Sequence, residues 1–368
     1  MRIGILTSSR ADYGYYRPLL KAMQVDNNID MNIIAFGTHL LDSYGKTIND
    51  ILNDGFEVKY QIDCLESGDS PAIVASSYAN TTKLFTEFWA KHQTEFDWVL
   101  CLGDRFEMAA AVNSSIPFQL MFAHLYAGET TLGAIDEIYR HQISLVCKKH
   151  FVNLPAYKVR VQNIIGNEGD IEVIGNTSLH NLNDLEILTI PDFQEKWNID
   201  LSQKTILVTF HPETVHFENA VNNAGTVSEV LSHLVNDYQI IITMPNADTN
   251  SSVYRKMFNE LAHQYPSNVF LIENFGTHSY FSCMQHATFL LGNTSSGIVE
   301  AASFNKYVIN VGDRQKGRFM SDNILNVPFE NESILKAVRT IADKQYEGEN
   351  PFYIENSMEL VLNSLKRG

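Results

Sequence analysis

The sequence predicts an α/β protein with two parallel-sheet domains. Short runs of Val, Ile, Leu and Phe recur along the chain, each followed by a small or polar residue and then a helical pattern. The 368 residues exceed the roughly 100–200 of a typical domain. A polar segment at 181–200 separates two series of such runs, so each series predicts a sheet of its own.

The first series predicts strands at 2–7, 32–36, 98–102, 120–123 and 150–153, closed by 170–174. The second predicts strands at 205–210, 239–243, 269–272, 288–291 and 308–311. We therefore expect an N-terminal domain over 1–180 and a C-terminal domain over 181–355. Helical spacing predicts a last helix within 356–368, which could pack on either domain.

Composition excludes several classes of partner. The formal net charge of −16 repels nucleic acid and anionic membrane surfaces, so neither is expected as a partner. The four cysteines lie far apart without metal-site spacing, and we expect reduced thiols and no metal. No apolar run reaches the roughly 20 residues of a membrane span, which favours a cytoplasmic protein.

A turn of small residues follows the predicted strand 288–291. It contains Asn293, Ser295, Ser296 and Gly297, and a helix is expected to begin there. Hydroxyls and unpaired backbone N–H groups at a helix start bind phosphate, and glycine lets the anion approach closely. The turn predicts a phosphate site, with simple capping of the helix by Ser or Thr as the alternative.

Three charged residues, Glu300, Arg314 and Arg10, extend this phosphate hypothesis. Glu300 does not occupy the position that a capping box requires, so its carboxylate is available to bind the two hydroxyls of a ribose. The alternative is that Glu300 is an ordinary exposed glutamate of the helix. Arg314 begins a group of three cations after the strand at 308–311, which favours a pyrophosphate. Arg10 follows the first strand and could reach a phosphate as well.

Groups suited to proton transfer lie beyond other strands, where open parallel sheets bind their ligands. They are accompanied by two arginines, and the whole set comprises Asp104, Arg105, Glu129, Asp136, Arg140 and His211. Carboxylates and an imidazole can act as general acid and base. The alternatives are a helical ion pair between Asp136 and Arg140, four residues apart, and an incidental histidine.

Taken in order, seven motifs resemble the hydrolysing UDP-N-acetylglucosamine 2-epimerases over about residues 2–329. They are Ser9-Arg10-Ala11-Asp12-Tyr13, Gly103-Asp104-Arg105-Phe106, Ala134-Ile135-Asp136-Glu137 through Arg140-His141, Phe210-His211-Pro212, Pro245-Asn246-Ala247-Asp248, Gly292-Asn293-Thr294-Ser295-Ser296-Gly297 and Arg314-Gln315-Lys316-Gly317-Arg318. The resemblance implies two Rossmann-like domains in a glycosyltransferase-B-like fold with the active site in the interdomain cleft. It also implies a homodimer or dimer of dimers. It adds further residues to the substrate-binding set, namely Asp12, Arg105, Arg140, Asn246 and Asp248.

The resemblance implies release of UDP and a free 2-acetamido sugar of manno configuration, for sialic or legionaminic acid synthesis. The substrate would be UDP-N-acetylglucosamine or its 2,4-diacetamido-2,4,6-trideoxy relative. Elimination of UDP and hydration of the resulting glycal would need Asp104, Asp136 and His211, with Glu129 in reserve, and no metal or redox cofactor. The alternatives are a non-hydrolysing epimerase, a glycosyltransferase and a nucleotide-sugar-binding protein without catalysis.

Two local differences bear on this assignment. Non-hydrolysing epimerases typically carry Gly-Thr-Arg-Pro-Glu in the first loop, whereas this chain has the run from Ser8 to Tyr13, which favours the hydrolysing branch. The family often has a glutamate, implicated in catalysis, where this chain has Tyr126. Glu129 is the nearest substitute for it.

Overall fold

The computed structural model contains two α/β units, each with its own parallel sheet. It describes residues 1–42, 45–66, 68, 70–132, 135–180, 182, 185–213, 217–245 and 251–367. The first unit comprises Met1–Glu129, Asp136–Leu182 and Phe352–Gly368, and the second comprises Thr130–Ile135 and Asn183–Pro351. Within the ranges just given, no helix has the length and apolar character needed to cross a membrane.

The first unit has a seven-stranded parallel sheet in the order β3-β2-β1-β4-β5-β6-β7. Its strands are β1 (Arg2–Thr7), β2 (Asp30–Phe36), β3 (Val58–Ile62), β4 (Trp98–Leu102), β5 (Phe122–Leu125), β6 (Lys149–Val152) and β7 (Asp170–Val173). Its helices are α1 (Arg10–Gln24), α2 (Ile48–Asn53), α3 (Pro71–His92), α4 (Phe106–Asn113), α5 (Asp136–Val146) and α6 (Pro155–Ile165). The strand order reverses beside β1, the position at which such sheets bind ligands.

The second unit has a six-stranded parallel sheet in the order β10-β9-β8-β11-β12-β13. Its helices are α7 (Ile190–Trp197), α8 (Ala220–Leu234), α9 (Ser251–Gln264), α10 (Gly276–His286), α11 (Ser295–Val299) and α12 (Asn331–Ile341). Its strands are β8 (Thr205–Thr209), β9 (Gln239–Thr243), β10 (Val269–Ile272), β11 (Phe289–Gly292), β12 (Val308–Val311) and β13 (Ile324–Val327). Buried aliphatic side chains of these strands pack against α8, α9 and α12.

The predicted pair of parallel sheets is confirmed, and every strand expected from the sequence occurs, with ends shifted by at most two residues. Two strands were missed, β3 and β13. Both lie at the edge of a sheet and are only partly buried, so they lack the continuous apolar run of a central parallel strand.

The last helix, α13 (Ser357–Lys366), packs on the first unit. Its apolar side chains, among them Val361 and Leu365, join the core formed by β1 and α1. Lys149 fixes the end of the helix, because its Nζ donates to the Ser364 carbonyl at 3.0 Å and pairs with Asp170 at 2.5 Å.

Candidate active site

Three segments of the first unit meet at Arg140, a residue of α5 that is only 2% exposed. The Arg140 guanidinium forms an ion pair with Asp104, which lies just after β4. It also donates a hydrogen bond to the backbone carbonyl of Glu129 at 2.6 Å. Because a buried guanidinium held by several acceptors cannot move freely, Arg140 fixes Asp104 and the Glu129 segment relative to α5.

Asp136, the first residue of α5, has an unusual ionisation. Burial, followed by the negative charge of Asp104, raises the pKa of the Asp136 carboxyl to about 6. The positive charges of Arg105 and Arg140 act in the opposite direction and lower this pKa. A carboxyl with a pKa near neutrality can both take up and release a proton at physiological pH.

Glu129 is buried close to this group. Its Oε1 accepts a hydrogen bond from the Asn153 side-chain amide at 2.5 Å. Asn153 follows β6, and Arg140 holds the Glu129 backbone, so side chain and main chain are both oriented. Glu129 therefore lies in the same part of the first unit as Asp104.

Tyr126 has contacts of a different kind. Its buried hydroxyl lies 2.5 Å from Thr177 Oγ1 and 3.1 Å from Asn176 Oδ1, and it accepts a hydrogen bond from the Thr177 N–H at 3.0 Å. The backbone of Tyr126 has a φ of 64°, which is uncommon for a residue with a large side chain. The Tyr126 hydroxyl thus holds the segment after β7 in place.

In the second unit, Asn293 clamps the loop that carries His211. The Asn293 side chain accepts a hydrogen bond from the His211 N–H at 2.8 Å and donates to the His211 carbonyl at 2.9 Å. The Asn293 carbonyl in turn accepts hydrogen bonds from Arg314 at 3.2 Å and from Gln315 at 2.8 Å. One fully buried asparagine therefore fixes the backbone at His211 and the side chain of Arg314.

His211 is 7% exposed and stays neutral at physiological pH. Burial, and next the positive charge of Arg314, lower the pKa of the His211 imidazole to about 3. An anion bound beside Arg314 would offset the guanidinium charge and raise this pKa again. The protonation of His211 is thus coupled to the charge of whatever Arg314 binds.

The small-residue turn between β11 and α11 is tightly built. A Cβ atom at Gly292 would collide with the backbone carbonyl of Thr209, so only glycine fits this position. Thr294 precedes α11 but makes no capping hydrogen bond with its side chain, and the Ser296 hydroxyl pairs with the hydroxyl of Tyr280. Helix α11 is only five residues long, so the backbone N–H groups and hydroxyls of the turn matter more here than the helix dipole.

The other predicted residues are placed as follows. Glu300 is buried at the end of α11, Arg10 is exposed at the start of α1, and Arg105 pairs with the fully buried Glu107. Asn246 and Asp248 lie outside the described residues. Two supporting residues were missed, Tyr280 and Asn153, and Gln315 was quoted in the motif from Arg314 to Arg318 without a role. Asn153 carried a signal that the strand-end rule could have detected, because it directly follows β6.

Within the described ranges, no three His, Cys, Asp or Glu side chains are grouped closely enough to hold a metal ion. Each unit contains its own set of candidate groups. Asp104, Glu129, Asp136 and Arg140 form a proton-transfer set in the first unit. His211, Asn293, Ser296 and Arg314 form an anion-binding set in the second.

A family model described as UDP-N-acetylglucosamine 2-epimerase matches residues 21–366, and the chain belongs to this family. The hydrolysing UDP-N,N'-diacetylbacillosamine 2-epimerase of Legionella pneumophila is 32% identical over 93% of this chain and 89% of its own length. The hydrolysing GDP/UDP-N,N'-diacetylbacillosamine 2-epimerase of Campylobacter jejuni is 31% identical over 88% of this chain and 84% of its own. The chain also superposes on the crystal structure of the Neisseria meningitidis UDP-GlcNAc 2-epimerase bound to UDP-GlcNAc. The match covers 100% of each chain, with a TM-score of 0.84 and 20% sequence identity.

Proposed function

We propose that this protein is a hydrolysing 2-epimerase that converts a UDP-2-acetamido sugar and water to UDP and a free 2-acetamido sugar of manno configuration. The observation that carries the proposal is the family match over residues 21–366, and the buried group of Asp104, Asp136 and Arg140 in the first unit supports it. The relatives from Legionella pneumophila and Campylobacter jejuni, at 32% and 31% identity, are both named as hydrolysing enzymes that act on a diacetamido sugar nucleotide. That agreement favours the 2,4-diacetamido-2,4,6-trideoxy sugar over N-acetylglucosamine as the sugar of the substrate.

The chemistry begins with loss of the C2 proton, which no carbonyl group activates. A base takes this proton, the C–H electron pair forms the C1=C2 double bond, and the C1–O bond breaks with its electrons leaving on UDP. Departure of UDP must therefore drive the step, and groups that stabilise the developing diphosphate charge lower its barrier. We assign that role to Arg314, Ser295, Ser296 and the backbone N–H groups of the turn, and to Arg10.

The second stage adds water to the 2-acetamidoglucal. A proton returns to C2 on the opposite face, and hydroxide from water joins C1. Two groups are then needed, one that removes and one that supplies a proton. We assign Asp136 as the base, because its pKa of about 6 leaves it mostly ionised at pH 7. Glu129 and His211 are the candidates for the returning proton. For His211 this role requires that a diphosphate bound beside Arg314 raises the imidazole pKa above its value of about 3 in the free protein. We assign Asp104 the role of raising the pKa of Asp136 through its negative charge.

UDP release from two substrates tests this proposal. The protein would be incubated with UDP-N-acetylglucosamine and with its diacetamido trideoxy relative, and free UDP and reducing sugar would be quantified. Equal amounts of both products are expected, with the larger kcat/KM for the diacetamido substrate. Accumulation of a UDP-manno sugar without free UDP would instead identify a non-hydrolysing epimerase, and tight UDP binding without turnover of either sugar would identify a binding protein.

Replacing Arg314 by Ala is expected to weaken UDP binding by about 10- to 100-fold, because a charge-assisted contact to the diphosphate is lost. Calorimetry with UDP measures the effect directly. Lys344→Ala, a charge-matched change in the exposed segment after α12, serves as the control and should bind UDP as the parent does. An unchanged affinity in the Arg314 variant would remove this residue from the diphosphate site.

Replacing Tyr126 by Phe is expected to lower the free energy of unfolding by about 1–3 kcal/mol, because the buried Thr177 N–H loses its acceptor. The kcat of this variant should stay within about three-fold of the parent value, since the Tyr126 hydroxyl has no role in the proposed proton transfers. Urea unfolding and the rate of UDP release measure the two effects. A 100-fold loss in kcat with unchanged stability would instead make Tyr126 a catalytic residue.

A further inference from the structure

The turn that carries Arg10 is built around one buried carboxylate, that of Asp12, which is 5% exposed. Its two oxygens accept hydrogen bonds from the backbone N–H groups of Ser8 at 2.7 Å, Ser9 at 2.8 Å and Tyr13 at 2.9 Å. The hydroxyls of Thr7, Ser8 and Ser9 also donate to it, each at 3.1 Å. Six donors already exceed the roughly four lone-pair sites of a carboxylate, so no acceptor capacity is left for a substrate hydroxyl.

A second group of residues holds the same turn from the other side. His39, fully buried after β2, has its Nε2 2.9 Å from Thr7 Oγ1 and its Nδ1 2.8 Å from Thr47 Oγ1. Because the Thr7 hydroxyl donates to Asp12, it must accept from His39, and the neutral ring then accepts from Thr47. Thr38 adds a hydrogen bond to the Ser8 carbonyl at 3.1 Å. The chain from Thr7 to Ser9 is therefore fixed on two sides.

Arg10 directly follows this fixed segment and is the first residue of α1. Asp12 stands two residues after Arg10 and forms a capping box with Ser9, in which each side chain accepts a hydrogen bond from the backbone N–H of the other residue. The Arg10 side chain itself is exposed. The backbone that directs Arg10 is thus rigid, while its guanidinium remains accessible to a ligand.

We propose that Asp12 is a positioning residue for the diphosphate, acting through the direction it imposes on Arg10 and making no contact with the ligand itself. A rigid backbone lowers the entropy lost when a charged side chain engages its ligand, so binding and turnover both benefit. This proposal rests on the proposed function for its activity readout, but it also predicts a binding effect that is independent of turnover.

A double-mutant cycle tests the proposal. Asp12→Asn is expected to lower kcat/KM by about 10-fold and Arg10→Ala by about 100-fold. The double variant should equal Arg10→Ala within about three-fold, because Asp12 has nothing to position once Arg10 is gone. Direct contact of Asp12 with the substrate would instead make the two effects multiply to about 1000-fold, which would overturn the proposal.

Asp192→Asn is the matched control. Asp192 is also the acidic residue of a helix start, where it accepts a hydrogen bond from the Thr189 hydroxyl at 2.5 Å, but it lies on α7 in the second unit. This control should lose some thermal stability and keep its kcat/KM. Should Asp12→Asn fail to fold, Thr7→Val replaces it in the cycle. This change removes one hydrogen-bond donor to Asp12 and the contact with His39. It should lower kcat/KM less than Asp12→Asn does, and again only when Arg10 is present.

The cycle is repeated with UDP binding by calorimetry as its readout. If the parent protein turns over no sugar nucleotide, the proposed function fails while this cycle still reports on Asp12. Asp12→Asn is then expected to weaken UDP binding only when Arg10 is present. Equal weakening in the Arg10→Ala background, or parent-like affinity in Asp12→Asn, would overturn the positioning role.

Discussion

Replacing Asp136 by Asn is expected to lower kcat by about 100-fold or more. Asparagine keeps the size and shape of the side chain but can no longer accept the C2 proton, and general base catalysis contributes roughly 10²–10⁴-fold. The Asp104–Arg140 ion pair should persist, since neither partner is changed. UDP release under saturating substrate measures kcat, and UDP calorimetry shows whether binding is retained.

Asp343→Asn is the matched control for this substitution, because the Asp343 side chain is 88% exposed and pairs only at the surface with Lys204. It should retain full turnover. Near-normal kcat in Asp136→Asn would remove Asp136 from the mechanism and leave Glu129 as the principal base.

The pH dependence of kcat/KM also tests the assignment of Asp136 as the base. Since the ionised form of Asp136 acts as the base, activity should fall as the pH drops through about 6 and reach a plateau above it. The charge of Asp104 is the second cause of the raised pKa of Asp136. In Asp104→Asn this pKa should therefore be lower, and the fall of the residual activity in acid should begin at a lower pH than in the parent. A limb that stays near 6 in Asp136→Asn would assign the ionisation elsewhere.

Replacing His211 by Ala is the other large expected effect, a loss of about 100-fold or more in kcat. The turn should survive, because Asn293 binds only backbone atoms of residue 211, and alanine keeps these. UDP affinity should therefore stay within about three-fold of the parent. His211→Gln, which supplies a hydrogen-bond donor but cannot transfer a proton, should be equally slow.

Recovery of activity in His211→Gln would show that the imidazole only donates a hydrogen bond. A parallel loss of UDP affinity in both variants would place the defect in the loop itself. Either outcome would remove His211 from the proton-transfer steps.

Strands were predictable because central parallel strands are buried on both faces and read as apolar runs, as in β4 and β12. The same rule missed β3 and β13, whose exposed positions interrupt the pattern at the sheet edges. Positions just after strands likewise identified Asp104 and His211 as candidates. These features depend on local sequence and general sheet geometry, which a single sequence contains.

The partners of these residues were not predictable, because they depend on long-range contacts. Arg140 stands four residues after Asp136, which suggested a pair within α5, yet its ion pair reaches Asp104, 36 positions earlier. Tyr280 supports Ser296 from the middle of α10, where no strand end marks it. Of the six hydrogen bonds to Asp12, the one from the Ser9 N–H belongs to a capping box that the spacing of Ser9 and Asp12 permits, whereas those from Thr7 and Ser8 arise only in the folded turn.

Solvent isotope labelling tests the central claim most directly. The reaction would be run in D₂O, with a parallel run in H₂¹⁸O, and the products analysed by NMR and mass spectrometry. Elimination followed by hydration predicts a free manno sugar with one deuterium at C2, together with UDP that carries no oxygen from the solvent. A released sugar that keeps protium at C2 and its original configuration, or UDP containing ¹⁸O, would contradict it.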